Sequence, residues 1–158
     1  MRWSCPRRSP DHRRYPSTNA PVDDCIQVNV APESTYDSLM SAHSHGQTVL
    51  DDVIPLNRAL RQVIPDVFQG LCRHEAAAMA PGGLDTKTKE LIALEISVTL
   101  RCDGCIASHA RGAAKAGASR EEAAEAIGVA LILNGGPGTV YGPAAHDAFC
   151  EFADTRDG

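Results

Sequence analysis

The chain has 158 residues, 43% of them hydrophobic and 22% charged, and carries a formal net charge of -5 at pH 7. This length fits one domain with its own core. The acidic balance and an aromatic content of 4% argue against a basic or base-stacking nucleic-acid surface. No run approaches the roughly 18 apolar residues of a membrane span, and the N-terminus lacks the apolar core of a secretory signal. We therefore expect a cytoplasmic protein with no nucleic-acid or membrane partner.

The N-terminal part differs in composition from the rest. Residues 1–32 contain five prolines and show neither helical nor strand periodicity, which predicts a flexible tail. Residues 33–158 are predicted to form one domain. Apolar residues at three- and four-residue spacings continue from about residue 34 to Ile64, and Pro55 within them is expected to bend or to start a helix. Pro65 suits the first turn of the helix that follows.

Two helices are predicted on either side of position 101. The first covers about 85–101, with Asp85 or Thr86 as its cap and a broad apolar surface. The second covers about 102–117. It ends at Gly117, a residue that suits the left-handed turn after a helix.

Two more helices complete the prediction. Ser119 and Glu122 have the spacing of a capping box, in which each side chain bonds the other residue's backbone N–H. The helix that begins there stops at the glycine-rich segment 134–138, and a last helix covers about 140–152. No segment alternates as a strand does. The predicted fold class is therefore an all-α bundle.

Cys102, Cys105 and His109 are the residues with the clearest chemical potential. Their spacings of three and four place them on one face of a helix. If the helix begins at this point, its free amides and dipole favour a thiolate at the two sulfurs. His109, one turn further on, can take or return a proton. Attack on an oxidant followed by disulfide closure needs this combination of an activated thiolate, a resolving thiol and a base.

Glu90, twelve positions before Cys102, completes the pattern Glu…Cys-x-x-Cys-x-x-x-His. With its flanking segments 87–94 and 117–122, this pattern resembles the AhpD-like alkylhydroperoxidases of the carboxymuconolactone decarboxylase family. The resemblance covers roughly residues 50–152.

The resemblance implies an AhpD-like helical bundle that assembles into dimers, trimers or hexamers. It also implies that Cys105 attacks a hydroperoxide, that Cys102 resolves the product to a disulfide, and that Glu90 and His109 form the proton relay. A thiol or lipoyl-type protein would then reduce the disulfide. We predict neither a cofactor nor a resident metal. The best-characterised peroxidases of the family have a histidine immediately before the second cysteine, where this chain has Gly104.

A second enzymatic function stays open, because the wider family is also named for lactone decarboxylation. That chemistry does not need two thiols and would require a cationic pocket for carboxylates. Arg101 and Arg111 flank the motif and are the candidates for such a pocket.

A zinc-binding or purely oligomeric protein is the third interpretation. Structural zinc usually takes its ligands from two loops, and a second Cys-x-x-Cys is absent from the chain. The ligands would be Cys102, Cys105 and His109, with His146 or Cys150 as the fourth.

The other notable residues have ordinary interpretations. Cys72 and Cys150 are predicted to be small core residues. Glu95 interrupts an apolar helical run and is expected to face solvent or a subunit interface. Helices that are alanine-rich and apolar nearly all round would leave exposed patches on a monomer this short, which predicts a homo-oligomer.

Overall fold

The computed structural model describes residues 44–157, which form six α-helices and no β-strand. The predicted all-α class is confirmed for this part of the chain. The predicted tail over 1–32 and the expected helical start near residue 34 lie outside the described residues. In chain order the helices are α1 (Gln47–Val63), α2 (Pro65–Met79), α3 (Thr86–Leu100), α4 (Asp103–Lys115), α5 (Arg120–Asn134) and α6 (Gly138–Asp157).

Short-range sequence signals fix the starts of α3 and α5. The carboxylate of Asp85 accepts a hydrogen bond from the backbone N–H of Thr88 at 2.7 Å. Ser119 Oγ accepts from the N–H of Glu122 at 3.1 Å, and the Glu122 carboxylate accepts from the N–H of Ser119 at 2.8 Å. Gly117, between α4 and α5, has a φ of +83°. The predicted caps and the left-handed turn are therefore confirmed.

The first helix contains Pro55 in its interior. Of the two expectations for this residue, a helix start is wrong, because α1 continues through it. The N-terminus of α1 is instead held by α6, since the carboxylate of Glu151 accepts from the N–H of Gln47 at 3.1 Å and from Ser44 Oγ at 2.9 Å. An acid from a distant helix thus completes the cap of α1, together with Ser44, whose Oγ accepts a hydrogen bond from the N–H of Thr48 at 3.3 Å.

The core lies among α3, α4, α5 and α6, with α4 packed against both α3 and α6. The buried face of α4 consists mainly of alanines, whose small side chains let neighbouring helices approach closely. The largest fully buried side chains come from α3 and α6. The buried residues of α4 are Ile106, Ala107, Ala110, Ala113 and Ala114, and the largest fully buried side chains are Phe149, Leu94 and Val98.

Helices α1 and α2 are much less buried than the rest. None of the residues of α2 is buried, and large apolar side chains such as Leu56, Val67 and Leu71 are more than half exposed. Cys72 is exposed on α2, so its predicted place in the core was wrong. Few residues of the described chain pack against this helix. Cys150 is half-buried on α6. Within the described residues, no helix combines the length and apolar character needed to cross a bilayer.

Candidate functional site

The turn between α3 and α4 determines where the cysteines lie. Arg101 ends α3 in the left-handed conformation, with a φ of 57°. Its N–H bonds the carbonyl of Val98, and the N–H of Cys102 reaches back to the carbonyl of Ser97, both at 3.2 Å. These bonds satisfy the last carbonyls of α3 and reverse the chain sharply. Cys102 is therefore placed as the residue that caps α4.

The two predicted cysteines are joined by a disulfide at this cap. Their Cα atoms are 5.2 Å apart, and both residues are half-buried. Cys102 Sγ accepts a hydrogen bond from the backbone N–H of Cys105 at 3.3 Å. Both sulfurs thus lie at the positive end of the helix dipole, among amides that have no partner within the helix. This environment stabilises negative charge on sulfur once the disulfide opens.

The predicted acid and base meet across α3 and α4. Glu90 Oε2 lies 2.9 Å from His109 Nδ1. The Glu90 side chain is 16% exposed and that of His109 is 28% exposed. Because an ionised carboxylate only accepts hydrogen bonds, this contact assigns a proton to Nδ1 and leaves Nε2 of neutral imidazole as the acceptor. His109 lies about one turn after Cys105 on α4. The arrangement can therefore move a proton close to the sulfurs.

Gly112 belongs to this site and was missed by the sequence analysis. It lies on α4 one turn after His109, and the carboxylate of Glu90 rests directly against its Cα. The only local signal is a glycine inside an alanine-rich helix, where alanine would be the better helix former. Its structural reason lies on another helix, so periodicity does not reveal it.

A cavity of about 300 Å³ lies beside the first turn of α4. One of its walls includes His45, whose Nδ1 lies 2.8 Å from Asp147 Oδ2 on α6. The sequence analysis also missed this pair, because the two residues are far apart in the chain. The lining residues are His45, Val49, Asp103, Ile106, Val140, Tyr141 and Ala144.

The residues considered above as four zinc ligands do not come together within residues 44–157. No group of three or more His, Cys, Asp or Glu side chains in this range is arranged to hold a metal ion. His146 and Cys150 lie beside each other on α6, with the sulfur 3.8 Å from each ring nitrogen. Burial raises the pKa of the Cys150 thiol, which favours its neutral form.

The two arginines considered for a carboxylate pocket lie in different surroundings. Arg101 is exposed at the end of α3. Arg111 lines a separate cavity of about 390 Å³ together with Lys115. Two residues along a helix correspond to about 200° of rotation, so Arg111 and His109 lie on roughly opposite sides of α4. Glu95 is half-buried and lines a groove of about 200 Å³ formed by α3 and α5.

Comparison with known proteins identifies the family. The model of the carboxymuconolactone decarboxylase family matches residues 65–148, more than half of the chain. A crystal structure of a family member from Legionella pneumophila is 37% identical, covers 67% of this chain and 95% of its own, and has a TM-score of 0.65. A family member from Thermotoga maritima is 31% identical, with 70% and 94% coverage and a TM-score of 0.59.

A sequence relative from Cupriavidus necator, itself uncharacterised, is 37% identical over 90 residues, which are 55% of this chain and 77% of that protein. A structure from Burkholderia xenovorans shares the fold at 20% identity, with a TM-score of 0.58 and coverage of 80% and 96%. From the family match and the two solved relatives above 30% identity, the chain belongs to the carboxymuconolactone decarboxylase family.

Proposed function

We propose that this protein is an AhpD-like thiol peroxidase that reduces hydroperoxides with Cys102 and Cys105. The observation that carries the proposal is the disulfide at the N-terminus of α4, one turn from a histidine that Glu90 holds at 2.9 Å. The site thus combines thiolate stabilisation, a resolving thiol and a proton carrier. The Thermotoga maritima relative is described with a possible role in antioxidative response, which agrees with this chemistry.

In the oxidative half-reaction, His109 Nε2 takes the thiol proton of Cys105. The thiolate then attacks one peroxide oxygen, and the O–O bond breaks. The sulfur is oxidised to a sulfenic acid, and the alkoxide that leaves takes a proton from His109 and departs as an alcohol. Cys102 Sγ next attacks the Cys105 sulfur. An S–S bond forms, and the hydroxide displaced combines with the Cys102 proton to leave as water.

In the reductive half-reaction, a dithiol donor of the lipoyl or thioredoxin type attacks Cys105 Sγ. The S–S bond breaks, and Cys102 leaves as a thiolate that still accepts the N–H of Cys105. A stabilised leaving thiolate accelerates this exchange. The second donor thiol then attacks the mixed disulfide, releases Cys105 and leaves the donor oxidised. Continued turnover requires a reducing compartment, which we propose is the cytoplasm.

Gly104 stands where the best-characterised peroxidases of the family have a histidine. In this chain we therefore assign the proton relay to Glu90 and His109 alone. The carboxylate stabilises the imidazolium that exists while His109 carries the proton.

We also propose that the working enzyme is a homo-oligomer, a dimer, trimer or hexamer. The described core consists largely of alanines, whereas many larger aliphatic side chains are exposed. One exposed apolar set lies on α1 and α2 (Leu56, Leu60, Val63, Val67, Leu71), and another lies on the outer side of α3 and α5 (Ile92, Ile96, Val129, Leu133). Clusters of exposed apolar side chains are typical of protein–protein interfaces, which supports the proposal. Sedimentation at micromolar concentration should give a dimer, trimer or hexamer, and a monomer would contradict the proposal.

The catalytic proposal is tested by serine substitution. Steady-state consumption of an organic hydroperoxide is measured with a dithiol reductant in wild type, Cys105→Ser and Cys102→Ser. A matched control is Cys72→Ser, which alters an exposed thiol on α2. We expect Cys105→Ser to lose at least ~100-fold in kcat/KM, Cys102→Ser to lose disulfide-dependent turnover, and Cys72→Ser to match wild type. Full turnover by Cys105→Ser would contradict the proposal.

A further inference from the structure

The carboxylate of Glu90 occupies the space in which a side chain at position 112 would begin. A Cβ built on Gly112 would lie 2.5 Å from Cδ and 2.8 Å from Oε1 of Glu90. It would be closer still to Oε2, the oxygen that pairs with His109. Separations below 3.0 Å essentially never occur for real Cβ atoms. The carboxylate and a methyl group therefore cannot both occupy this place.

The other glycines within the described helices have no neighbour this close, and the most crowded of them, Gly138 and Gly142, would meet atoms at 3.1 Å. A Cβ at Gly128, on α5, would meet nothing within 4 Å, and a Cβ at Gly104 would make an ordinary contact of 3.8 Å with Val53. A glycine inside a helix lowers the stability of the fold relative to alanine, because glycine loses more backbone freedom on folding. At position 112 the glycine permits the approach of the Glu90 carboxylate.

We propose that Gly112 is a positioning residue for the proton relay. Without a side chain, it lets the Glu90 carboxylate lie against α4, so that Oε2 reaches Nδ1 of His109. The inference rests on the peroxidase function proposed above, in which that contact orients the imidazole. It adds a residue that touches neither peroxide nor sulfur and acts only through Glu90.

A methyl group at position 112 would move the acid rather than the helix. The crowded atoms belong to the far end of a flexible side chain, whereas the backbone of α4 is held by its hydrogen bonds and by buried neighbours such as Ala110 and Ala113. The carboxylate would swing away, and His109 would lose its partner. The fold would stay intact, because alanine is a better helix former than glycine and offsets part of the stability lost with the Glu90–His109 hydrogen bond.

The test compares Gly112→Ala with the matched control Gly128→Ala, which makes the same helix-favouring change without a crowded neighbour. We expect Gly128→Ala to melt at or above the wild-type temperature, and Gly112→Ala to remain folded because the helix-favouring change offsets part of the lost hydrogen bond. Gly112→Ala should lower kcat for an organic hydroperoxide about tenfold or more, with KM changed less than about twofold. Gly128→Ala should match wild type in both constants.

Two further readouts separate positioning from a structural effect. In the Glu90→Ala variant the carboxylate is absent, so a methyl group at position 112 meets no crowded neighbour. Adding Gly112→Ala to this variant should therefore change its kcat by less than about twofold. In long-range ¹H–¹⁵N NMR spectra, the His109 signature of an Nδ1–H bonded to carboxylate should be present in wild type and Gly128→Ala. It should be lost in Gly112→Ala.

The outcomes distinguish this inference from the function on which it rests. A Gly112→Ala protein with wild-type kcat and an unchanged His109 signature overturns the inference and leaves the peroxidase function intact. Wild-type protein without peroxide turnover refutes the function, and the NMR signature still decides whether Gly112 holds Glu90 on His109. If Gly112→Ala does not fold, the Glu90→Ala/Gly112→Ala double variant is tested instead. A folded double variant supports the clash between the methyl group and the Glu90 carboxylate. A double variant that also fails to fold overturns the inference.

Discussion

Two substitutions of Glu90 should slow catalysis to different degrees, Glu90→Ala more than Glu90→Gln. In Glu90→Gln the amide oxygen can still accept the His109 Nδ1–H, but the negative charge is lost. A hydrogen bond to a charged group contributes about 1.5–3 kcal/mol and a neutral one about 0.5–1.5 kcal/mol. The difference is about 1–1.5 kcal/mol. It corresponds to roughly a tenfold loss of rate if it applies in full to the state in which His109 carries the proton. The low exposure of both side chains, 16% and 28%, limits screening by water.

Glu90→Ala removes the acceptor altogether and should cost about 100-fold, the lower end of the range for general acid–base groups. The assay is kcat/KM for an organic hydroperoxide with a dithiol reductant in excess. Glu125→Gln, an exposed acid on α5, controls for the loss of one negative charge and should match wild type. The reasoning is refuted if Glu90→Ala stays within about twofold of wild type, or if Glu90→Gln is the slower of the two variants.

Two further predictions concern stability. Phe149→Ala empties a fully buried site on α6 and should lower the free energy of unfolding by about 3–5 kcal/mol in urea titrations; a loss below ~1 kcal/mol would contradict the described core. The hydrogen bond from Lys87 holds the pKa of Glu122 below its usual 4.5. The resulting stabilisation is present above pH 4.5 and is lost as the pH falls through the lowered folded-state pKa. Glu122→Gln should therefore lose less stability than wild type between about pH 5 and pH 2, whereas Glu125→Gln should follow the wild-type curve.

The parts of the fold that could be predicted are those whose causes lie within a few residues. Asp85 and Ser119 cap helices through bonds to residues three positions further on, and Gly117 meets the local need for a left-handed turn. The spacing of Cys102, Cys105 and His109 likewise defines one helix face. Each of these signals is contained within about two turns of chain, so the sequence alone suffices to find it.

The parts that could not be predicted depend on contacts between distant segments. Glu151 caps α1 from a position 104 residues away, and no local pattern marks it. In the sequence, Gly112 is only a residue that lowers the helix propensity of α4. The contact with Glu90 that explains it comes from another helix. Cys72 lies on an amphipathic helix, but periodicity identifies an apolar stripe without saying what covers it. Its assignment to the core failed for that reason.

The central claim is tested most directly by peptide mass spectrometry of reduced protein before and after one equivalent of an organic hydroperoxide. The proposed chemistry predicts that the peroxide is consumed and that one Cys102–Cys105 disulfide forms for each equivalent, with Cys72 and Cys150 still reduced. In Cys105→Ser no peroxide should be consumed at this site. If Cys102 and Cys105 stay reduced in the wild-type protein, or if Cys105→Ser consumes peroxide at the wild-type rate, the claim is contradicted.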